Sequence, residues 1–269
     1  MKQDCLSNKV AVVTGARRGI GRAVAVAIAG AGADVVACDA VFDDGGLKDT
    51  EDIVRKQGSK SMAVQADISL RSDVEEMTHR VVDAFGKIDI LVNCAGVWIP
   101  GQTLLECSDE NWDIVMDTNL KGTFLCCREI GRHMIAQRSG CIINLSSQVG
   151  LTPATGAGAY STSKAGIIML TRQLAQEMAA YKVRVNALAP GIVKTDFNAD
   201  FWKDPEKEKQ ASGQVPLGRL AESDDIAQAA LFLASDASGY ITGEVLCING
   251  GWSPKSSVGG STSLTPGSQ

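Results

Sequence analysis

Tyr160 and Lys164 stand four residues apart in a stretch, 159–180, that reads as a long helix, so both side chains leave the same face. A phenol ordinarily titrates near ~10 and is a poor acid–base catalyst at neutral pH. An ammonium beside it favours the phenolate and pulls that value down, which suits the pair to exchange a proton with an alcohol or ketone oxygen. Ser147 follows the apolar run 141–145. A hydroxyl at a strand's carboxyl end sits where doubly wound sheets place ligands, so Ser147 can donate to a substrate oxygen and hold it near Tyr160.

A second constellation points to a dinucleotide. Thr14-Gly15-Ala16-Arg17-Arg18-Gly19-Ile20-Gly21 follows an apolar run and opens a helical one. Glycines there let the backbone approach a pyrophosphate, and the helix that follows offers free N–H groups and its positive end. Asp39 closes the next apolar run, 18 residues past Gly21. A carboxylate at that place accepts from ribose hydroxyls and repels a 2′-phosphate, which favours NAD over NADP. Arg17 and Arg18 pull the other way, because a guanidinium in the loop can pair a 2′-phosphate.

The elements that must hold these groups alternate. Short apolar runs at 10–13, 35–38, 61–65, 88–92, 141–145, 183–188 and 244–248 read as strands, and 19–32, 47–57, 72–85, 109–137, 159–180 and 224–233 as helices. Continuous apolar strands separated by helices predict a mainly seven-stranded parallel sheet covered on both faces, a doubly wound single-domain α/β fold. Residues 1–252 are expected to form that domain. The last stretch, 253–269, is rich in Ser, Gly, Thr and Pro and reads as a tail.

With these residues in this order the sequence resembles the short-chain dehydrogenases/reductases over about residues 7–252. The matching motifs are the glycine loop at 14–21, Asn-Cys-Ala-Gly at 93–96, Asn119, Ser147, Tyr160 with Lys164, and Pro190-Gly191 followed by Thr195. Ser147 precedes Tyr160 by 13 residues, the spacing of that family. The resemblance implies that Tyr160 is the general acid/base, that Ser147 polarises the substrate oxygen, and that Lys164 holds the nicotinamide ribose and lowers the Tyr160 pKa. It implies that Asn119 positions a water that relays protons to Lys164; Asn is a poor mid-helix residue unless its amide has a partner. It places Asp67 and Ile68 at the adenine, Asn93, Ala95 and Gly96 along the cofactor, and Pro190, Gly191, Val193 and Thr195 at the nicotinamide and its phosphate. Cys94 departs from the family's second asparagine. The two long helices imply a homotetramer.

Substrate choice falls to the loops after Gly96, Ser147 and Thr195. These carry Trp98, then Gln148 and Val149, then Phe197, Phe201 and Trp202, which suit a fairly apolar or ring-shaped alcohol or ketone. The expected activity is NAD(H)-linked interconversion of a secondary alcohol and a ketone. The alternative is reduction of a 3-oxoacyl group on an acyl-carrier protein with NADPH, for which the family resemblance places basic contacts at Arg138 and at the position of Tyr181, beside Lys182.

Other classes fit poorly. A net charge of −5 without a basic cluster argues against nucleic acid. No apolar run nears the ~18 residues of a membrane span. The polar start, 1–9, lacks a signal-peptide core, and eight cysteines with no Cys-x-x-Cys pair and only two histidines give neither a zinc site nor a disulfide framework. A reduced cytoplasmic protein without metal is expected.

Overall fold

The structure, a computed structural model, describes residues 4–101 and 103–254, apart from the side chains of 200 and 201. The sequence-predicted tail therefore lies almost wholly outside the described residues. Seven strands form one parallel sheet in the order β3-β2-β1-β4-β5-β6-β7. They are β1 (Val10–Thr14), β2 (Asp34–Asp39), β3 (Ser61–Gln65), β4 (Ile90–Asn93), β5 (Gly140–Leu145), β6 (Val183–Pro190) and β7 (Val245–Ile248).

The strand residues alternate between two cores. Ala11 and Val13 pack with Val24 and Ile28 of α1 (Gly19–Gly30) and with Ile226 and Leu233 of α8 (Ser223–Ala234). Val10 and Val12 point to the other face, against Met77 and Val81 of α3 (Arg71–Phe85) and Ile130 and Met134 of α5 (Thr123–Gln137). Each fully buried aliphatic side chain contributes roughly 1.5–3 kcal/mol, which is why these strands are apolar on both faces. Between β1 and β4 the winding reverses, with Thr14 beside Asn93. A cleft opens at the carboxyl ends of strands at such a reversal.

The helices depart from the expected outline in two places. The stretch 109–137 is not one helix: α4 (Asp109–Val115) and α5 are joined by a π-helical turn, Met116–Gly122, which carries Asn119. Gly122 is needed there, since a Cβ would lie 2.8 Å from the Ile68 side chain. Of two further helices, α6 (Gly158–Met178) borders the cleft with Tyr160 and Lys164, and α2 (Gly46–Lys56) packs beside α1 and β3. The loop after Thr195 also contains a helix, α7 (Pro205–Ser212). Asp204 caps it by accepting from the Glu206 N–H at 2.9 Å, and Pro205 fills its first position, where a missing N–H costs nothing. All eight cysteines are free thiols. Among the described residues no helix is long and apolar enough to cross a membrane.

Candidate active site

The glycine loop leaves β1 and turns into α1. Gly15 has φ +66°, and a Cβ there would fall 2.7 Å from the Ala95 nitrogen, so only glycine lets the loops after β1 and β4 touch. Gly21 is tighter still: a Cβ would sit 2.1 Å from the Gly15 carbonyl oxygen. Arg18 occupies the N-cap of α1 in an extended conformation and caps no N–H with its side chain. The first-turn N–H groups thus face a cleft of about 610 Å³ with no side-chain acceptor of their own. Gly15 through Gly21, Asp39, Asp67, Ile68, Ala95 and Gly96 border this cleft, as do Pro190, Gly191, Val193 and Thr195, except that Ala16 is buried behind the loop.

At one end lies Asp39, the last residue of β2. Its Oδ1 accepts from the Val41 N–H at 3.0 Å and lies 3.4 Å from Arg17 Nε. Arg17 also pairs with Asp44, while Arg18 reaches Asp196 at 3.7 Å across the cleft mouth. Neither loop arginine is free: Arg17 is ion-paired with Asp39 and Asp44, and Arg18 with Asp196. Asp67 turns back on its own loop, accepting from the N–H and hydroxyl of Ser69.

At the other end Ser147, Tyr160 and Lys164 come together. Ser147 Oγ accepts from the Val149 N–H at 3.3 Å. Lys164 is 3% exposed; its Nζ donates to the Leu145 carbonyl at 2.8 Å and lies 5.4 Å from the Tyr160 ring centroid. The expected depression of the Tyr160 pKa is not what the geometry gives. Desolvation pushes the phenol up to about 12, and the hydrogen bond with Ser147 offsets this only in part. Desolvation also brings Lys164 down to about 8. Burial outweighs the neighbouring charge because the ammonium is directed at a carbonyl rather than at the phenol oxygen. Trp98 and Phe197 wall the same end, their ring centroids 6.4 and 6.1 Å from that of Tyr160.

Four sequence-predicted positions lie elsewhere. Asn119 is fully buried behind the cleft: its Oδ1 accepts from the Val97 N–H at 2.8 Å, and its Nδ2 donates to the Val97 carbonyl and to Ser163 Oγ. Its amide thus fixes the loop after β4, and its Oδ1 borders the same spot as Lys164 Nζ: a Cβ on Gly96 would lie 3.1 Å from the one and 3.5 Å from the other. Asn93 is buried in the sheet, donating to Asn144 Oδ1 at 2.8 Å, because its strand position faces the core. Gln148 is buried and accepts from Asn249 Nδ2 at 2.9 Å. Trp202 donates to the Thr195 carbonyl at 2.9 Å and packs with Ala211, Val215 and Leu220. The Phe201 side chain lies outside the described residues. Val149 does border the cleft. So do Trp252 and Asp196, which sequence reasoning missed; Trp252 stands in a glycine-rich stretch with no periodicity to mark it, and Asp196 reads as an ordinary helix-start acid.

A family model described as enoyl-(acyl carrier protein) reductase matches residues 15–253. The chain belongs to the short-chain dehydrogenases/reductases. It is 42% identical to the 3-oxoacyl-acyl-carrier-protein reductase FabG of Staphylococcus epidermidis over 91% of this chain and 98% of the relative. It is 40% identical to BbsD of Thauera aromatica, a subunit of a hydroxy(phenyl)methylsuccinyl-CoA dehydrogenase, over 91% and 97%. Among solved structures, a candidate short-chain alcohol dehydrogenase from Sinorhizobium meliloti 1021 superposes with a TM-score of 0.87 at 37% identity, covering 92% of this chain and 97% of that one. Levodione reductase superposes equally well, TM-score 0.87 at 30% identity, over 91% and 98%. As a member of this family the dehydrogenase/reductase acts on a CH–OH group with a nicotinamide dinucleotide. The site fits that group: uncapped α1 N–H groups for the pyrophosphate, and an Asp39 Oδ2 that no described residue engages.

Proposed function

We propose that this chain is an NAD(H)-linked reductase of 3-oxoacyl thioesters that also runs in reverse on the 3-hydroxyacyl form. One observation carries the substrate class. The relatives matched at 40–42% identity over nearly their whole length are named for acyl thioesters, whether on a carrier protein or on CoA. The apolar wall of Trp98, Phe197 and Val149 beside Ser147 and Tyr160 suits an acyl chain. Asp39 supports NADH over NADPH, since its free Oδ2 is an acceptor for a ribose hydroxyl and a repellent for a phosphate.

Bound NADH would supply the hydride for the substrate's C3 carbon. Ser147 and Tyr160 present two hydroxyls to the keto oxygen. Ser147 holds that oxygen by a hydrogen bond, and Tyr160 gives it a proton as the carbonyl becomes an alcohol. With its pKa pushed up to about 12, Tyr160 stays protonated throughout the physiological range, the form needed for reduction. Lys164, buried beside the phenol, would hold the ribose hydroxyls. Asn119 sets the backbone at Val97 and so the wall that carries Trp98.

A second reading is interconversion of a free secondary alcohol and a ketone. The aromatic cluster favours it, with Trp98 and Phe197 stacked at 6.0 Å. Arg138 bears on the choice of carrier. It adjoins the start of β5, so it lies at the opposite end of the sheet from this chain's own cleft, bonded to the Ala180 carbonyl. CoA esters are therefore the substrates to try first. Initial rates with acetoacetyl-CoA, crotonyl-CoA and a panel of cyclic ketones, each with NADH and NADPH, decide the matter. Fast NADH oxidation with acetoacetyl-CoA alone upholds the proposal. Turnover confined to cyclic ketones overturns it for the second reading, and turnover of crotonyl-CoA overturns the chemistry at oxygen. Ile114, Phe124 and Met169, apolar and exposed on α4–α6, support assembly into a tetramer, which light scattering would measure.

A further inference from the structure

We propose that Asp44 sets the discrimination between NADH and NADPH, by holding Arg17 away from the place of a 2′-phosphate. The inference rests on the reading of Asp39 as the ribose acceptor and adds a residue that lies outside the glycine loop and β2.

Arg17 is a loop residue long enough to reach a phosphate beside Asp39. Its side chain is instead folded down, 16% exposed, with Nε 3.4 Å from Asp39 Oδ1 and Nη1 on Asp44 Oδ2. Asp44 is itself fixed, its Oδ1 accepting from the Gly46 N–H at 3.0 Å. Gly46 makes the room: a Cβ there would lie 2.9 Å from Arg17 Cγ. Arg22 clamps the same two segments, donating to the Arg17 carbonyl at 2.5 Å and to the Gly46 carbonyl at 2.8 Å. Its Nε also donates to Thr50 Oγ1, which in turn donates to the Ala16 carbonyl. The start of α2 is thereby bound to the phosphate loop with the arginine trapped between them.

The charges then decide the sign. Asp39 and Arg17 alone would cancel, leaving a neutral ribose site in which the guanidinium could swing onto a phosphate and bind it bidentately. Asp44 adds one negative charge and holds the guanidinium through Nη1. A 2′-phosphate thus meets excess negative charge and no free guanidinium, whereas a ribose hydroxyl meets an available carboxylate oxygen. Asp44 acts through Arg17 and is a positioning residue.

The test is equilibrium binding, read by the fluorescence of NADH and NADPH titrated into wild type, Asp44→Asn, and Asp44→Asn combined with Arg17→Leu. Asp44→Asn is expected to tighten NADPH binding about tenfold and to change NADH binding less than about threefold. The gain should shrink in high salt and vanish in the double variant. A NADPH-to-NADH ratio within twofold of wild type overturns the proposal, as does a gain that survives loss of Arg17. The underlying reading fails separately: wild type binding NADPH more tightly than NADH overturns the role given to Asp39, while a tenfold shift in Asp44→Asn would still uphold the latch.

Discussion

The Lys164 end and the Asp39 end of the cleft handle charge in opposite ways. Lys164 is 3% exposed, bonds a neutral carbonyl, and has no carboxylate within ion-pair distance among the described residues. Arg17 at the far end is matched by two carboxylates, one of them half exposed to solvent. Where charge is buried without a counterion, its protonation state becomes an energetic variable, and the group is costly to keep and costly to lose. Where charge is paired at a wet surface, stability is barely involved and the arrangement chooses between ligands. Chemistry and selectivity are thus separated along one cleft, and substitutions should fall into two kinds.

The largest effect belongs to the buried end. Tyr160→Phe keeps the ring against Trp98 and Phe197 and removes only the hydroxyl. Turnover should fall by about 10³-fold or more, since a positioned proton donor is worth roughly 10²–10⁴ in rate and no other hydroxyl of comparable acidity borders that position. NADH binding should stay within about twofold. Steady-state rates beside a binding titration make the check, and a variant retaining a tenth of wild-type turnover would break the division between the two ends.

The next effect is on stability, and its sign follows from Lys164. Its pKa is near 8 in the folded chain against an ordinary 10.5. Below about pH 8 both states hold the proton, and the full cost of the buried charge is present. Between 8 and 10.5 the unfolded chain binds more protons, so stability rises with pH through that window. The buried thiols Cys38 and Cys127, raised to about 12 from 9.0, contribute the opposite slope above pH 9. The clean window is therefore about pH 8 to 9. Lys164→Met should melt higher than wild type at pH 7, by about 2–3 kcal/mol of stability, while losing activity. The gap should narrow by about 1 kcal/mol between pH 8 and pH 9, since Lys164 is half deprotonated in the folded chain at the lower end of that window. Equal melting temperatures at pH 7, or a gap that ignores pH, would show that Lys164 is better solvated than its surroundings indicate.

How far the sequence could be read follows the same division. Parallel strands, the glycine loop and Asp39 were legible because burial on both faces and close backbone approach each demand particular residue types at fixed spacing. Asn119 was legible as a mid-helix asparagine needing a partner, but not its partner, because Val97 comes to it only through the loop after β4. The π-turn around it was hidden, since the 3.6-residue pattern continues on both sides. Asp44 was invisible for a different reason. It lies in a polar stretch where one more aspartate carries no signal, and only the fold brings it to Arg17, 27 residues earlier. Aromatic residues were the least legible, because a ring packs a core and lines a pocket with the same chemistry.

The smallest effect tests that last ambiguity within one segment. Phe197 and Trp202 are five residues apart, yet Phe197 stacks on Trp98 over the cleft while Trp202 turns to a small core of its own with Ala211, Val215 and Leu220. Trp202→Phe keeps an aromatic body and loses one hydrogen bond, that from Nε1 to the Thr195 carbonyl. It should cost about 1 kcal/mol of stability and leave kcat/KM within about twofold. Phe197→Ala, by contrast, removes a wall of the cleft and should raise KM for the acyl substrate by roughly tenfold at nearly unchanged melting temperature, because that ring is 42% exposed in the free protein. If Trp202→Phe were to raise KM as much as Phe197→Ala, the small core around Ala211 would be part of the substrate wall, and the segment after Thr195 would act as one body rather than as a packed half and a binding half.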